Sequence, residues 1–321
     1  MDRRKFLKVA GATGVAGMSA GCIGQFGSQP YVDGTMQFLM SPTEPQDQMR
    51  AQYSPVKKRL NSYVDSVDKV TIDYAADYSA TLNAMNSGTA DVAETGPFAA
   101  ALGVKTNKAD IILQRKAYGG WTYKSVIVTK EDSDIQKTSD LKGKTVAFAD
   151  PLSASGSLYP LYMMKKAGIS IPNSPGSEAG ANFTPQWSTH ASAIEALNTG
   201  QADAAGVGYF IASGDQPDGY AKGLREVEAT DGIPRAPIIV SPKLSDEEKD
   251  NIATAFTEAP QSMYYGADGK EDTDKKSDNP DDDLWFSGVR KRGVETYQPV
   301  IDVANELGYG QDVFKSGTSS E

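Results

Sequence analysis

The chain has 321 residues, 39% of them hydrophobic, which is enough material for two domains with buried cores. Its 42 acidic and 32 basic side chains give a formal charge of −10, and that sign excludes nucleic acid as a partner, because phosphate backbones need a basic surface. One cysteine excludes an intrachain disulfide, and one histidine with no thiol or imidazole partner argues against a zinc site.

Residues 1–22 read as an export signal. Arg3 and Arg4, followed by Lys5 and Phe6, resemble a twin-arginine motif with Asp2 where Ser or Thr is usual, and residues 9–20 are weakly apolar, too short and too polar to persist as a membrane span. Ser19, Ala20, Gly21 and Cys22 resemble a lipobox with Ser in place of Leu, and a lipid on Cys22 explains the placement of the sole cysteine. Residues 23–35, Gly- and Ser-containing and aperiodic, read as a flexible tether.

From there strands and helices alternate. Residues 36–40 read as a strand, 46–64 as an amphipathic helix and 70–74 as a second strand. Residues 81–96 then carry a pattern that returns at 193–208, an offset of 112, with identity at Ala84/Ala196, Asn86/Asn198, Gly88/Gly200, Ala90/Ala202, Asp91/Asp203, Ala93/Ala205 and Gly96/Gly208. In each copy an apolar helix face (Leu82, Ala84, Met85; Ile194, Ala196, Leu197) runs to a glycine stop and then a short buried strand at 90–93 or 202–205. Tyr78 and His190 occupy matching places directly before helix starts marked by Ser79 and Ser192, where unpaired backbone N–H groups converge.

Between the copies, residues 125–129 and 145–148 read as strands separated by a helical turn at 139–143. Residues 157–167 read as a helix ended by Gly168, and 178–187 as a loop leading into a strand before His190. After the second copy, residues 231–237 are turn-rich, 238–241 form a strand, and 245–257 a helix with Ser245 as cap and Glu248 as its capping-box partner. The acidic run at 268–283 lacks the spacing of a calcium loop, and residues 285–307 read as two closing helical segments burying Trp285, Phe286, Val289, Val300, Ile301 and Val303.

Alternation of this kind argues for an α/β fold, and one long-period duplication argues for two lobes with a cleft between them. Residues 36–123 plus 236–321 are assigned to lobe 1 and 124–235 to lobe 2, with hinge crossings near 123–129 and 232–240.

Chemistry concentrates at residues 150–160. Ser153, Ser155 and Ser157, with Gly156 and the backbone of Ala154, allow hydroxyls and N–H groups to surround one tetrahedral anion at a helix start, although a serine-rich turn is also an ordinary helix cap. His190 as a catalytic base beside Ser153 or Ser155 would require an orienting acid, and the one G-x-S-x-G of the chain, at residues 17–21, lies in the export signal and not at these serines. As a binding residue it would donate an N–H to the anion. Arg235 reads either as added charge at that site or as a hinge-surface residue.

Taken together, Asp77-Tyr78, Gly96-Pro97-Phe98, Tyr123-Lys124-Ser125, Asp140-Leu141-Lys142-Gly143-Lys144, the Ser153-x-Ser155-Gly156-x-Leu158-x-Pro160 stretch, Lys166-Ala167-Gly168-Ile169 and His190 ahead of Gly200-x-x-Asp203 resemble the phosphate/phosphonate-binding proteins of ABC importers. The resemblance implies a type II periplasmic-binding-protein fold, each lobe a mostly parallel sheet flanked by helices. It also implies a binding protein rather than an enzyme, monomeric, without cofactor or metal, that delivers a small oxyanion to an ABC permease. The membrane would be reached through lipidated Cys22. Carried over residue by residue, the ligand contacts fall on Tyr78, Tyr123, Ser153, Ala154, Ser155 and His190. Family members that hold aminoalkylphosphonates place acids after the second repeat strand and near the returning crossover. This chain has Gly208, Tyr209 and Phe210 at the first place and Arg235 and Ala236 at the second, which favours phosphate, phosphite or a simple phosphonate. Two alternatives stay open: the same fold holding a sulfonate or a thiamine-precursor-like heterocycle on Trp121, Trp187, Tyr209 and Phe210, and a secreted serine hydrolase.

Overall fold

The computed structural model describes residues 30–41, 46–214, 219–271 and 283–310; the export signal, Cys22 and most of the acidic run lie outside them. In chain order the strands are β1 (Thr35–Met40), β2 (Lys69–Tyr74), β3 (Val92–Glu94), β4 (Asp110–Lys116), β5 (Thr122–Lys130), β6 (Thr145–Phe148), β7 (Thr184–Trp187), β8 (Ala204–Gly208), β9 (Leu224–Pro234), β10 (Pro237–Val240) and β11 (Gly288–Lys291). The helices are α1 (Gln46–Gln52), α2 (Ser54–Tyr63), α3 (Tyr78–Ser87), α4 (Pro97–Lys105), α5 (Tyr159–Lys166), α6 (His190–Asn198), α7 (Tyr209–Ala212), α8 (Asp246–Thr257) and α9 (Gln298–Leu307).

Two sheets form, in the orders β11-β4-β10-β3-β1-β2 and β7-β6-β8-β5-β9. Each contains a parallel trio, β2-β1-β3 or β7-β6-β8, extended by a returning strand that pairs antiparallel with the third member. The sheets are therefore mixed. The chain passes between them twice, after β4 and after β9, and the crossings are stitched by Arg235 N–H to Trp121 O (2.9 Å) and Arg115 N–H to Ala236 O (3.2 Å). Residues 231–234, which read as turn, continue β9, and the expected closing helical pair is instead β11 followed by α9, because Gly288–Lys291 completes the edge of β4.

The duplicated unit folds alike in both lobes. α3 ends on Gly88 at φ 78° and α6 stops just before Gly200 at φ 76°, a left-handed backbone that glycine adopts without a Cβ penalty. The repeated aspartates make the same tie. Asp91 accepts the Gln37 N–H of β1 at 2.8 Å, and Asp203 accepts the Thr145 N–H of β6 at 2.7 Å. The helix caps differ from expectation. Asp77 caps α3 through Ala80 N–H (2.6 Å) and Thr189 caps α6 through Ser192 N–H (3.1 Å), so Tyr78 and His190 are the first helical residues rather than the ones before. Ser245 and Glu248 form the expected capping box on α8. The helix read over 46–64 divides between α1 and α2, because Pro55 has no N–H to continue the ladder.

One apolar cluster runs from Leu82, Phe98 and Val300 to Phe148, Leu161 and Met164, joining the lobes, while two others back the remaining face of each sheet. α9 buries Val300, Ile301, Ala304 and Leu307 against α4 of lobe 1 and α5 of lobe 2. Lys165 Nζ donates to Glu306 O (2.6 Å) and the Tyr309 hydroxyl to Pro172 O (2.6 Å). The C-terminal helix thus belongs to both lobes, not to lobe 1 alone. Packing also begins earlier than the tether reading allows: Tyr31 is buried and its N–H donates to Asp91 at 3.2 Å.

Candidate functional site

A cavity of about 130 Å³ lies between the sheets, room enough for a small oxyanion or several waters. Its walls are the carboxyl ends of the parallel strands, the usual position of a ligand site in an open α/β sheet. Ser41 follows β1, Thr95 follows β3, Ser153, Ala154 and Ser155 follow β6, and Phe210 follows β8; Tyr123 and Arg235 enter from the two crossings.

The wiring of Ser153 fixes what its hydroxyl can do. Its Oγ accepts Gly156 N–H at 3.1 Å, across a single π-helical turn (Ala154–Leu158) that leads into α5, and lies 3.2 Å from His190 Nε2. His190 Nδ1 accepts the Gly208 N–H at 3.3 Å, so the ring proton sits on Nε2 and is donated to Ser153. Both lone pairs of Ser153 Oγ are then engaged, and its own hydrogen is left to donate into the cavity. Desolvation pushes the His190 pKa down to about 4, which keeps the ring neutral at ordinary pH. This pair runs opposite to a hydrolase dyad: the imidazole gives its proton to the serine, and a backbone amide rather than a carboxylate holds Nδ1.

The remaining predicted residues divide. Tyr78 and Tyr123 reach the cavity with Ser155; the Tyr123 hydroxyl lies against Ser155, and the Ser125 hydroxyl donates to Ser155 O at 2.6 Å. Burial raises both tyrosine pKa values and keeps them as O–H donors. Gly156 and Ser157 do not border the cavity. Ser157 Oγ donates to Asp150 O (2.7 Å) and Ala149 O (3.2 Å), and a Cβ on Gly156 would stand 2.3 Å from Ala149 Cβ and 2.7 Å from His190 Cε1. Both shape the turn instead of lining the space. The free helix N-terminus expected at Tyr78 is also occupied. Asp150 of lobe 2 accepts the Tyr78 N–H at 3.3 Å across the cleft, and its own pKa is raised by burial.

Charge in the cavity is one-sided, with two arginines and no aspartate or glutamate among the described lining residues. The Arg115 guanidinium pairs with buried Glu94, which also accepts the Tyr53 hydroxyl and the Ser41 N–H (2.9 Å), and lies 4.0 Å from the Trp285 ring centroid. Arg235 has no such partner, and its Nε is buried without an acceptor. Thr95 Oγ1 is likewise buried and unpartnered, and Ser41 Oγ, beside the Tyr78 hydroxyl, has no partner in hydrogen-bond geometry. Buried polar atoms are rarely left this way, and three converge on one space.

Sequence reasoning missed Ser41, Thr95, Arg115 and Tyr118 as wall residues. The only signal for Thr95 is its place inside the repeat. The aromatic residues named for a heterocycle mostly lie elsewhere: Trp187 stacks on Phe148 at 5.0 Å, Trp121 faces Arg290, and Tyr209 meets Tyr220 edge-on, leaving Phe210 in the cavity.

Two mixed sheets, a double crossing and an anion-suited space between them define a two-lobed solute-binding protein. Residues 38–278 match the family described as ABC transporter, phosphonate, periplasmic substrate-binding protein. The chain is 28% identical over 237 residues to the phosphate-import protein PhnD of Mycolicibacterium smegmatis, covering 70% of this chain and 71% of that one. It is 25% identical over 237 residues to the phosphonates-binding periplasmic protein of Escherichia coli, covering 72% and 66%. In fold it is similar to the binding component of an ABC phosphonate transporter from Pseudomonas aeruginosa (TM-score 0.66, 23% identity, 91% of each chain). It is also similar to a protein from Prochlorococcus marinus solved with methylphosphonate (TM-score 0.64, 16% identity, 86% of this chain and 99% of that one). The chain belongs to the phosphonate substrate-binding family of ABC transporters, and is a binding protein rather than an enzyme.

Proposed function

We propose that the protein captures phosphate, phosphite or a simple phosphonate in the interlobe cavity and passes it to an ABC permease, acting outside the cytoplasm as a monomer held to the membrane by a lipid on Cys22 after twin-arginine export. Ligand contacts are assigned to Tyr78, Tyr123, Ser153, the Ala154 backbone and Ser155; His190, expected to donate its N–H to the anion, gives it to Ser153 instead and acts through that serine. The observation that carries this reading is Ser153, whose acceptor positions are filled by Gly156 and His190 so that only a donor faces a cavity with no carboxylate among its described lining residues. Donors fixed beforehand replace an anion's hydration shell without reorganising. The relatives named for phosphate import and for phosphonate binding support the ligand class.

Each hydrogen bond to a charged ligand contributes about 1.5–3 kcal/mol, so Ser153→Ala should weaken binding of phosphate or methylphosphonate by roughly tenfold to a hundredfold in calorimetry. His190→Ala should weaken it as well, since it frees a lone pair of Ser153. Parent-like affinity in both variants would show that the pocket is misassigned.

A further inference from the structure

The two cavity arginines are not alike, and capture of a bare oxyanion leaves one of them unexplained. Arg115 is neutralised by Glu94 and also bonds Ala236 O (3.1 Å). Arg235 is 7% exposed, has no hydrogen bond or ion pair from its side chain among the described residues, and stays protonated, as arginine does even when buried. Three rings surround its guanidinium, with Cζ 4.9 Å from the Tyr123 centroid, 5.2 Å from Tyr118 and 5.8 Å from Phe210. Such faces attract a cation but offer no acceptor to its N–H groups, which keep their full capacity for an anion.

Its position relative to the serine turn sets the distance scale. The Tyr123 hydroxyl end touches Ser155 and its ring face meets Arg235, so a single tyrosine separates the cation from the oxyanion cradle. Phe210 neighbours both the guanidinium and His190, its centroid 6.0 Å from the imidazole. Arg235 therefore shares the cavity with the serine turn and is set off from it by the Tyr123 ring, a place that a ligand's substituent can reach.

We propose that Arg235 reads a second anionic group on that substituent, so that the preferred ligands are phosphonates bearing a carboxylate on a one- or two-carbon arm, and ammonium-bearing phosphonates are rejected. This rests on the capture reading above. A planar guanidinium with free N–H groups matches a carboxylate bidentately, and the same charge repels an ammonium that finds no carboxylate on the described walls.

Calorimetry of the parent protein with methylphosphonate, phosphonoacetate, 3-phosphonopropionate and 2-aminoethylphosphonate tests it, repeated on Arg235→Gln. The expected result is at least about tenfold tighter binding of one of the two carboxylates than of methylphosphonate, with 2-aminoethylphosphonate weaker than methylphosphonate. In Arg235→Gln the ratio of carboxylate to methyl affinity should fall to near one, whatever the variant's absolute affinities. Equal binding of carboxylate and methyl ligands by the parent, or an unchanged ratio in the variant, overturns the role of Arg235 while leaving oxyanion capture standing. If the parent binds no phosphorus anion at all, the capture reading falls and this inference with it. The parent series decides the matter even if the variant does not fold.

Discussion

The two lobes share a strand order, a helix–glycine–strand unit and an aspartate tie, yet end their third strands differently. β3 closes on Glu94, the centre of a buried polar network with Arg115, Tyr53 and the Ser41 amide. At the matching offset in β8 stands Gly206, where a Cβ would meet Pro160 side-chain carbons at 2.8 Å, so the serine turn packs directly on the strand. One lobe spends the position on fixed charge and the other on close approach of backbone. The lesson is that a duplicated scaffold supplies geometry twice, whereas its chemistry diverges at a few matched positions, Glu94 and Gly206 among them. The cavity then receives a compensated ion pair and the hydroxyls of Ser41, Tyr78 and Thr95 from lobe 1, and the serine turn from lobe 2.

The sharpest way to break this division is Glu94→Ala, which leaves Arg115 buried without its counter-charge. It should cost about 3–5 kcal/mol, read as a lowered denaturation midpoint. On the other side, Gly156→Ala forces a Cβ against Ala149 and His190. Overpacking of this sort costs about 1–3 kcal/mol, and binding should weaken too because the His190–Ser153 pair is displaced.

The smallest effect sharpens the comparison by pH. Folding lowers the His190 pKa from 6.5 to about 4, so between those values the unfolded chain binds more protons than the folded one. Stability contributed by His190 is present above pH 6.5 and lost as pH falls toward 4. Thermal midpoints of the parent and His190→Asn, measured from pH 7 to 4.5, should show a steeper acid loss in the parent; parallel curves would contradict the desolvated neutral imidazole.

Much of the fold was legible because the duplication preserved residues whose roles are local. Gly88 and Gly200 stop helices, and Asp91 and Asp203 tie one strand to the next, wherever the rest of the chain goes. The place of Ser153 and His190 at one cavity was legible from a spaced motif and from the repeat offset, but not that His190 gives its proton to the serine. Arg115 was not, since its role depends on β10 entering between β3 and β4, a pairing between residues more than a hundred positions apart. The closing segment misread for the same reason: residues 288–291 become a strand only because β4 has an open edge. Helix starts shifted by one or two residues because Asp77 and Thr189 compete with Ser79 and Ser192 for the same capping task.

The seat of α9 has a mechanical result. With Val300, Ile301, Ala304 and Leu307 wedged between α4 and α5, and Lys165, Glu306, Tyr309 and Pro172 pinned around them, the halves are sewn along one spine. Any parting of the lobes at the cavity has to break the contact between Asp150 and the Tyr78 amide, while α9 holds the two halves together like the spine of a book.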